Sequence, residues 1–148
     1  MGKEIRFFSR LDRYSEFSNF AAFAFEIDGQ IWPTVEHYFR AQKFSDLDHI
    51  ERIRSARSAK QAKMLGRSRN FPIREDWDSC RDEVMLKAVR AKFLAHADLR
   101  NLLLSTGKKR LIEASPYDSY WGEGRNGKGK NRLGEILMQV RNDLRERG

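Results

Sequence analysis

The segment 115–134, SPYDSYWGEGRNGKGKNRLG, holds the densest group of residue types suited to ligand chemistry. Its five glycines allow positive φ angles and a close approach of the backbone to a ligand. Backbone N–H groups in such a loop, followed by the start of a helix, can hold a phosphate group. Asp118 could transfer a proton, and three aromatic residues could stack on a base or sugar: Tyr117, Tyr120 and Trp121. The alternative is a flexible basic loop whose tryptophan packs into the core.

A second group of candidate residues lies at the start of a predicted helix. Thr34 is typical of an N-cap, and the helix is expected to cover about residues 35–44. Seven residues drift by only ~20° around a helix, so Glu36 and Lys43 are predicted to share one face with Arg40. The helix dipole stabilises a carboxylate in the first turn, which suits Glu36 to activating water or stabilising a cationic transition state. The alternative is an ordinary surface ion pair, which contributes little to stability.

Three other polar positions have two interpretations each. His37 could act as a base or pack as an ordinary histidine. Ser18 and Asn19 could hydrogen-bond a ligand base, or they could belong to a turn between two core phenylalanines. Cys80 could be a nucleophile, or an incidental cysteine before a helix. His and Cys residues do not occur at metal-ligand spacing, so neither a metal site nor a cofactor is expected.

The distribution of charge predicts an anionic partner. The chain has a formal net charge of +8, and the segment 52–74 contains eight cations and no acid. A run of one sign favours phosphate or nucleic acid, whereas the alternative is a solvated helix face. The residues predicted to contact phosphate or nucleic acid are Arg67, Arg69, Lys128 and Lys130.

Length and composition predict one domain over residues 1–148, and we expect a monomer. The single cysteine cannot form an internal disulfide, which favours a reducing, cytoplasmic setting. No apolar run approaches the ~20 residues of a membrane span, and the first residues lack the apolar core of a signal peptide.

The sequence pattern predicts a helix-rich α+β domain around a small, mainly antiparallel sheet. Strands are expected at residues 5–8, 23–27, 31–32 and 111–113, with a tight turn at Asp28-Gly29. Helices are expected at residues 35–44, 47–54, 82–95 and 99–104, between the capping box at Ser58 and Gly66, and from Asn131 to the last core leucine. Ser58 and Asn131 are predicted as caps, and Gly66 as a helix stop.

Four motifs together resemble the YbiA-like, or NADAR, family. They are FSNF at 17–20, WPTVEHYFRAQKF at 32–44, SPYDSYWGEG at 115–124 and GKGKNRLGEILMQVR at 127–141. Their order and spacing are similar to the family from near residue 5 to near residue 144, without a clear departure at a motif position. The resemblance implies the compact α+β fold of that family and a hydrolase of N-glycosyl bonds.

The resemblance also implies a substrate class. Family members are associated with cleaving ribosyl–nitrogen bonds. One class of substrate is the ribosylamino-pyrimidine phosphates of riboflavin synthesis, and another is ADP-ribose attached to guanine, including in DNA or RNA. The sequence leaves both open, and it also leaves open a non-catalytic module that only binds ADP-ribose or nucleic acid.

Each candidate residue takes a role in this chemistry. Glu36 would stabilise the oxocarbenium-like transition state, and Asp118 would protonate the leaving nitrogen. Lys43 would either bind phosphate or attack the opened sugar as a Schiff-base nucleophile. The remaining residues would bind substrate by stacking, hydrogen bonding or phosphate contact: Ser18, Asn19, Tyr117, Trp121, Gly122, Gly124 and Asn131.

Overall fold

The computed structural model describes residues 2–9 and 12–147, which fall into two compact units. The described residues up to Ser18 and those from His96 onward form one unit, called the split unit here. Residues Asn19–Ala95 form the other, called the continuous unit. The prediction of a single domain over residues 1–148 stays a prediction.

Four strands and six α-helices are present in the described residues. In chain order they are β1 (Glu4–Phe7), a 3-10 helix (Ser15–Phe17), β2 (Phe25–Ile27), β3 (Gln30–Trp32), α1 (Val35–Ala41), α2 (Leu47–Arg54), α3 (Ala59–Leu65), α4 (Trp77–Ala95), α5 (Ala97–Ser105), β4 (Arg110–Glu113) and α6 (Arg132–Arg147). This content confirms the predicted α+β class. None of these helices is long and apolar enough to cross a membrane, within the residues that the structure describes.

The strands form two separate pairs, one in each unit. In the continuous unit, β2 and β3 are antiparallel and joined by the predicted turn, where Asp28 and Gly29 have φ angles of 53° and 81°. Two positive φ angles define the turn type that matches the twist of a hairpin. In the split unit, β1 and β4 run parallel, from the pair Glu4–Arg110 to the pair Phe7–Glu113. The pairing is therefore partly parallel, where a mainly antiparallel sheet was expected, because local patterns do not reveal a pairing between strands a hundred residues apart.

Three successive helices of the continuous unit begin with the same kind of cap. The side chains of Thr34, Asp46 and Ser58 accept hydrogen bonds from the backbone N–H three residues later. Each cap satisfies a donor that the first helical turn leaves free. The predicted caps at Thr34 and Ser58 are confirmed, and α2 has the predicted bounds.

Two helix boundaries of the continuous unit differ from prediction. Helix α1 ends at Ala41 instead of near Phe44, because Phe44 forms an isolated antiparallel bridge with Ile73. Helix α4 begins at Trp77, five residues before the expected start at Asp82. Cys80 therefore lies inside α4 and not before it.

The apolar faces of both units follow the helical and strand periods. In the continuous unit the most deeply buried large side chains include Trp32, Ile53, Met85 and Phe93. In the split unit they include Phe7, Phe17, Leu103 and Leu111, together with a stripe along α6 at Leu133, Ile136, Leu137, Val140 and Leu144. That stripe was predicted from its 3.6-residue period.

Candidate active site

The Glu36 carboxylate is buried in the continuous unit. It lies in the first turn of α1, and Glu36 is only 5% exposed. Arg40, one helical turn later, donates from Nε to Glu36 Oε2 over 2.7 Å. The backbone N–H of Glu36 donates to the carbonyl oxygen of Asn19 over 3.1 Å. Glu36 is therefore not an exposed surface charge; it is a buried carboxylate held in one orientation by a charged partner.

Lys43 lies beyond the end of α1, in a turn. Its Nζ donates to the carbonyl oxygen of Gly66 over 2.9 Å, and so contacts the end of α3. The expectation that Glu36 and Lys43 share a face of one helix was wrong in one respect, because α1 ends at Ala41 and does not include Lys43. Burial lowers the pKa of Lys43, and the positive charges of Arg40 and Arg67 lower it further. This amine is more easily deprotonated than an ordinary surface lysine.

A cavity of about 530 Å³ opens beside Lys43. Its lining consists of Lys43 and five residues that follow α3: Arg67, Ser68, Arg69, Phe71 and Ile73. Three cations therefore face one space that also has an aromatic and an aliphatic wall. Such a lining suits a ligand that combines an anionic group with an apolar or aromatic part. The structure brings the predicted catalytic lysine together with both arginines that were predicted to contact phosphate.

His37 is a packed residue of α1. Its Nδ1 lies 2.8 Å from Thr34 Oγ1 and its Nε2 lies 3.0 Å from the carbonyl oxygen of Ala56. The carbonyl can only accept, so Nε2 carries the hydrogen and the Thr34 hydroxyl donates to Nδ1. Burial lowers the pKa of His37, which keeps the ring neutral. Both nitrogens have structural partners, as the packed interpretation expects.

Ser18 and Asn19 are consecutive residues at the boundary of the two units. Ser18 ends the 3-10 helix, where its N–H donates to Ser15 O. Asn19 is buried and donates from Nδ2 to the sulfur of Met85 over 3.6 Å. Its Oδ1 is buried and accepts no hydrogen bond from the described residues. Asn19 is also the residue whose backbone carbonyl accepts the hydrogen bond from Glu36 N. Contact of Ser18 and Asn19 with a substrate stays a prediction.

The glycine-rich loop of the split unit uses its backbone N–H groups internally. The N–H groups of Gly124, Gly127 and Gly129 donate to the carbonyl oxygens of Ser115, Gly124 and Glu123. Those of Lys130, Asn131, Arg132 and Leu133 likewise donate to carbonyl oxygens of residues 119–122. A phosphate held by Gly122, Gly124 and their neighbours stays a prediction. The bonding of these seven N–H groups argues against it, because each of the seven already has a partner.

Asp118 shapes this loop. Its Oδ1 accepts hydrogen bonds from the N–H groups of Tyr120 and Trp121, at 2.9 and 2.8 Å. These bonds are typical of an Asx turn, in which a side chain replaces a backbone carbonyl. Tyr117 is 82% exposed and lies 6.2 Å from the ring of Phe8, measured between centroids. The proton-donor role of Asp118 and the stacking roles of Tyr117 and Trp121 stay predictions.

Asn131 and the loop lysines have different surroundings. Asn131 is 1% exposed, has a φ of 52°, and directs its side chain at β4. Its Oδ1 accepts from Glu113 N, and its Nδ2 donates to Leu111 O. The side chain thus bonds the strand, where a helix cap was expected, and contact with substrate stays a prediction. Lys130 lies over the Tyr120 ring at 5.5 Å, and Lys128 is exposed.

The NADAR domain matches residues 6–145 of the chain. The chain belongs to the NADAR family. It is 52% identical to the N-glycosidase YbiA of Shigella boydii serotype 4 (strain Sb227) over 140 residues, which are 95% of this chain and 88% of that protein.

Two further similarities extend this NADAR relationship. The NMR structure of E. coli YbiA matches with a TM-score of 0.91 and 49% identity, covering 99% of this chain and 88% of the other. The chain is also 39% identical to the riboflavin biosynthesis protein PYRR, chloroplastic, of Zea mays, over 95% of this chain and 25% of that protein. These findings confirm the resemblance that the four motifs indicated.

Part of the site of this NADAR chain was not visible in its sequence. Arg40 stood out by its spacing from Glu36, but its role as the carboxylate's partner depends on burial. Ser68, Phe71 and Ile73 line the cavity without belonging to a motif. Gly66 was predicted only as a helix stop, although its carbonyl binds Lys43. Among the described residues, no group of three or more His, Cys, Asp or Glu residues could hold a metal ion.

Proposed function

We propose that this chain hydrolyses the bond between C1′ of a phosphate-bearing ribosyl group and the nitrogen of a base. The wider class, a hydrolase of N-glycosyl bonds, is that of its family relatives and agrees with the enzyme class predicted from the sequence. The observation that carries the finer proposal is the cavity of about 530 Å³ beside Lys43, which also has Arg67 and Arg69 in its wall. Phosphate-binding cations and a reactive amine at one opening suit a phosphorylated sugar.

Glu36 has the properties required of the group that stabilises the transition state. Cleavage at C1′ passes through an oxocarbenium-like state, which a nearby carboxylate stabilises electrostatically. A carboxylate does this best when its position is fixed before the reaction, because no energy is then needed to reorient it. Burial and the 2.7 Å bond from Arg40 supply that fixed position.

Lys43 has two possible functions in this scheme. As a cation it would bind a substrate phosphate together with Arg67 and Arg69. As a neutral amine it would attack C1′ of the ring-opened sugar and displace the base, whose nitrogen leaves with the proton that the amine gives up. The C=N bond formed between Lys43 and C1′ is then hydrolysed by water, which releases the sugar and restores the amine. The lowered pKa of Lys43 favours the second function, because it increases the fraction of free amine at neutral pH.

Two substrates fit the proposal. The name of the Zea mays relative favours ribosylamino-pyrimidine phosphates of riboflavin synthesis. The eight cations of residues 52–74 favour a polyanion, such as DNA or RNA that carries ADP-ribose on guanine. A cytoplasmic setting and a monomeric state are part of the proposal and have their basis in the sequence alone.

The test is a direct assay with both substrates. The purified chain is incubated with ADP-ribosylated DNA and, separately, with a ribosylamino-pyrimidine phosphate, and released base is measured by mass spectrometry. We expect free base from at least one of them at catalytic enzyme concentration. Tight binding of either ligand without release of base would instead identify a non-catalytic module. If the chain neither binds these substrates nor releases base from them, the proposal is contradicted.

A further inference from the structure

Gly66 lies where a side chain would collide with a neighbouring residue, although its backbone conformation is one that any residue can adopt. It ends α3 with φ and ψ angles of −68° and −12°, which are ordinary helical values. At such angles most residues are at least as favourable as glycine, which loses more conformational freedom on folding. The left-handed conformation that selects glycine at many helix ends is therefore not the reason for Gly66.

The space beside Gly66 is filled by Arg40. A Cβ atom added to Gly66 would lie 2.6 Å from Arg40 Cδ and 2.8 Å from Arg40 Cβ. Carbon atoms pack at about 3.5–4.0 Å, so any side chain at Gly66 would force α1 and α3 apart. Arg40 Cβ is fixed to the helix backbone, so a rotation of the arginine side chain would not relieve the contact.

Two reactive groups depend on this close packing. The stem of Arg40 crosses Gly66, and its Nε then holds the Glu36 carboxylate at 2.7 Å. The carbonyl oxygen of the same glycine accepts the hydrogen bond from Lys43 Nζ at 2.9 Å. Gly66 therefore contacts the arginine that holds Glu36, and its own carbonyl oxygen binds Lys43.

We propose that Gly66 and Arg40 are positioning residues that together fix Glu36 and Lys43 for the reaction. Gly66 allows α1 to approach the end of α3, Arg40 transmits that contact to Glu36, and the Gly66 carbonyl holds Lys43. The catalytic consequence rests on the proposed function, whereas the placement of Lys43 can be measured without substrate.

The substrate-free measurement follows Lys43 directly. Intact protein is acetylated with a water-soluble amine reagent over a range of pH, and labelling of each lysine is quantified by mass spectrometry. In the native chain, the labelling midpoint of Lys43 should lie below that of exposed Lys60. In Gly66→Ala, α1 moves outward, Lys43 is better solvated and farther from Arg67, and its midpoint should rise towards that of Lys60. Met64→Ala, an exposed position of the same helix, is the matched control and should leave the midpoint unchanged.

Turnover then measures the catalytic consequence with the substrate that the direct assay identifies. Gly66→Ala should lower kcat by about tenfold or more and KM much less, because a displaced catalytic group affects the transition state more than substrate binding. An unchanged Lys43 midpoint and unchanged kcat, with a melting temperature raised by the gain in backbone rigidity, would overturn the proposal. If the native chain turns over neither substrate, the proposed function fails while the labelling result still decides the role of Gly66.

Arg40→Met keeps the proposal testable if Gly66→Ala does not fold. Methionine retains an unbranched apolar stem for packing against Gly66 but cannot bind Glu36. Circular dichroism checks that the variant is folded, since it removes the charged partner of a buried carboxylate, and in the folded variant kcat should fall by about tenfold or more. A kcat near that of the native chain would show that Arg40 does not position Glu36 and would overturn the proposal.

Discussion

The α1–α3 region and the glycine-rich loop use their polar groups in opposite ways. Around α1, a buried carboxylate is paired with Arg40, and Lys43, whose pKa burial lowers, lines a cavity. In the loop, the backbone donors and the Asp118 carboxylate bind the loop itself. Polar groups that form hydrogen bonds within their own segment stabilise the conformation of that segment. Groups that face a cavity with an altered pKa are the better candidates for chemistry.

The largest effect is expected from Glu36→Gln, which tests whether the α1–α3 region supplies the reactive groups. The change keeps the shape of the side chain and removes the charge that would stabilise the cationic state. Loss of such a group typically costs ~100-fold or more in rate, so we expect kcat to fall by at least that factor. Circular dichroism and thermal melting check that the fold is retained. Turnover near the native rate in a folded variant would remove Glu36 from the reaction.

The next largest effect is expected at Lys43. If the reaction uses the free amine of Lys43, its rate should increase with pH as that amine loses its proton. Because the pKa of Lys43 is lowered, this increase should occur at a lower pH than for an ordinary lysine, whose pKa is about 10.4. Borohydride added during turnover should then trap a sugar adduct on Lys43, identified by peptide mass spectrometry. Lys43→Arg retains the positive charge and should give no adduct and little turnover. Absence of an adduct in the native chain, with substantial activity in Lys43→Ala, would leave this lysine as a phosphate contact.

A smaller effect, selective for substrate, is expected from reversing charge in the cavity wall. Arg67→Glu combined with Arg69→Glu should weaken binding of both substrates that carry ADP-ribose, because both contain its phosphates. The loss should be about tenfold or more for ADP-ribosylated DNA and smaller for ADP-ribosyl-guanosine, which lacks the DNA backbone. Native binding to the DNA should decrease with salt, with a logarithmic slope of ~0.7–0.9 for each phosphate neutralised. A matched variant, Arg54→Glu, changes a cation that already pairs with Glu51. Equal losses on both substrates would indicate an enzyme of small molecules.

The smallest effect is expected in the loop and concerns stability. Asp118→Ala removes the acceptor of two backbone N–H bonds and should cost about 1–2 kcal/mol of unfolding free energy, as the loss of a helix cap does. Asp118→Asn keeps an acceptor oxygen and should cost much less, as measured by denaturant unfolding. If Asp118→Asn is as stable as the native chain but its turnover is a hundredfold lower, Asp118 supplies the proton. That result would contradict the conclusion that the polar groups of the loop only stabilise its conformation.

The sequence was most informative where local chemistry determines the structure. The caps at Thr34 and Ser58, the turn at Asp28-Gly29 and the apolar stripe of α6 follow from neighbouring residues, and all were predicted correctly. The early end of α1 was not, because it depends on Phe44 pairing with Ile73, twenty-nine residues later in sequence.

The site itself was predictable by residue type but not by contact. Glu36 and Lys43 were identified from their motif, yet the partner of each is set by burial and by the approach of α3. The glycine-rich segment gave the strongest sequence signal for ligand binding. Its composition could not reveal that the loop donors are satisfied internally, since glycines serve a closed turn as well as a ligand contact.

The parallel pairing of β1 with β4 has a consequence for biosynthesis. Strand β1 finds its hydrogen-bonding partner only after residue 113 has left the ribosome, whereas residues 19–95 are consecutive in sequence and form one compact unit. Contacts of large sequence separation form slowly because closing a long loop costs chain entropy. The helix that carries Glu36 and the turn that carries Lys43 can therefore assemble during translation, before β1 pairs with β4.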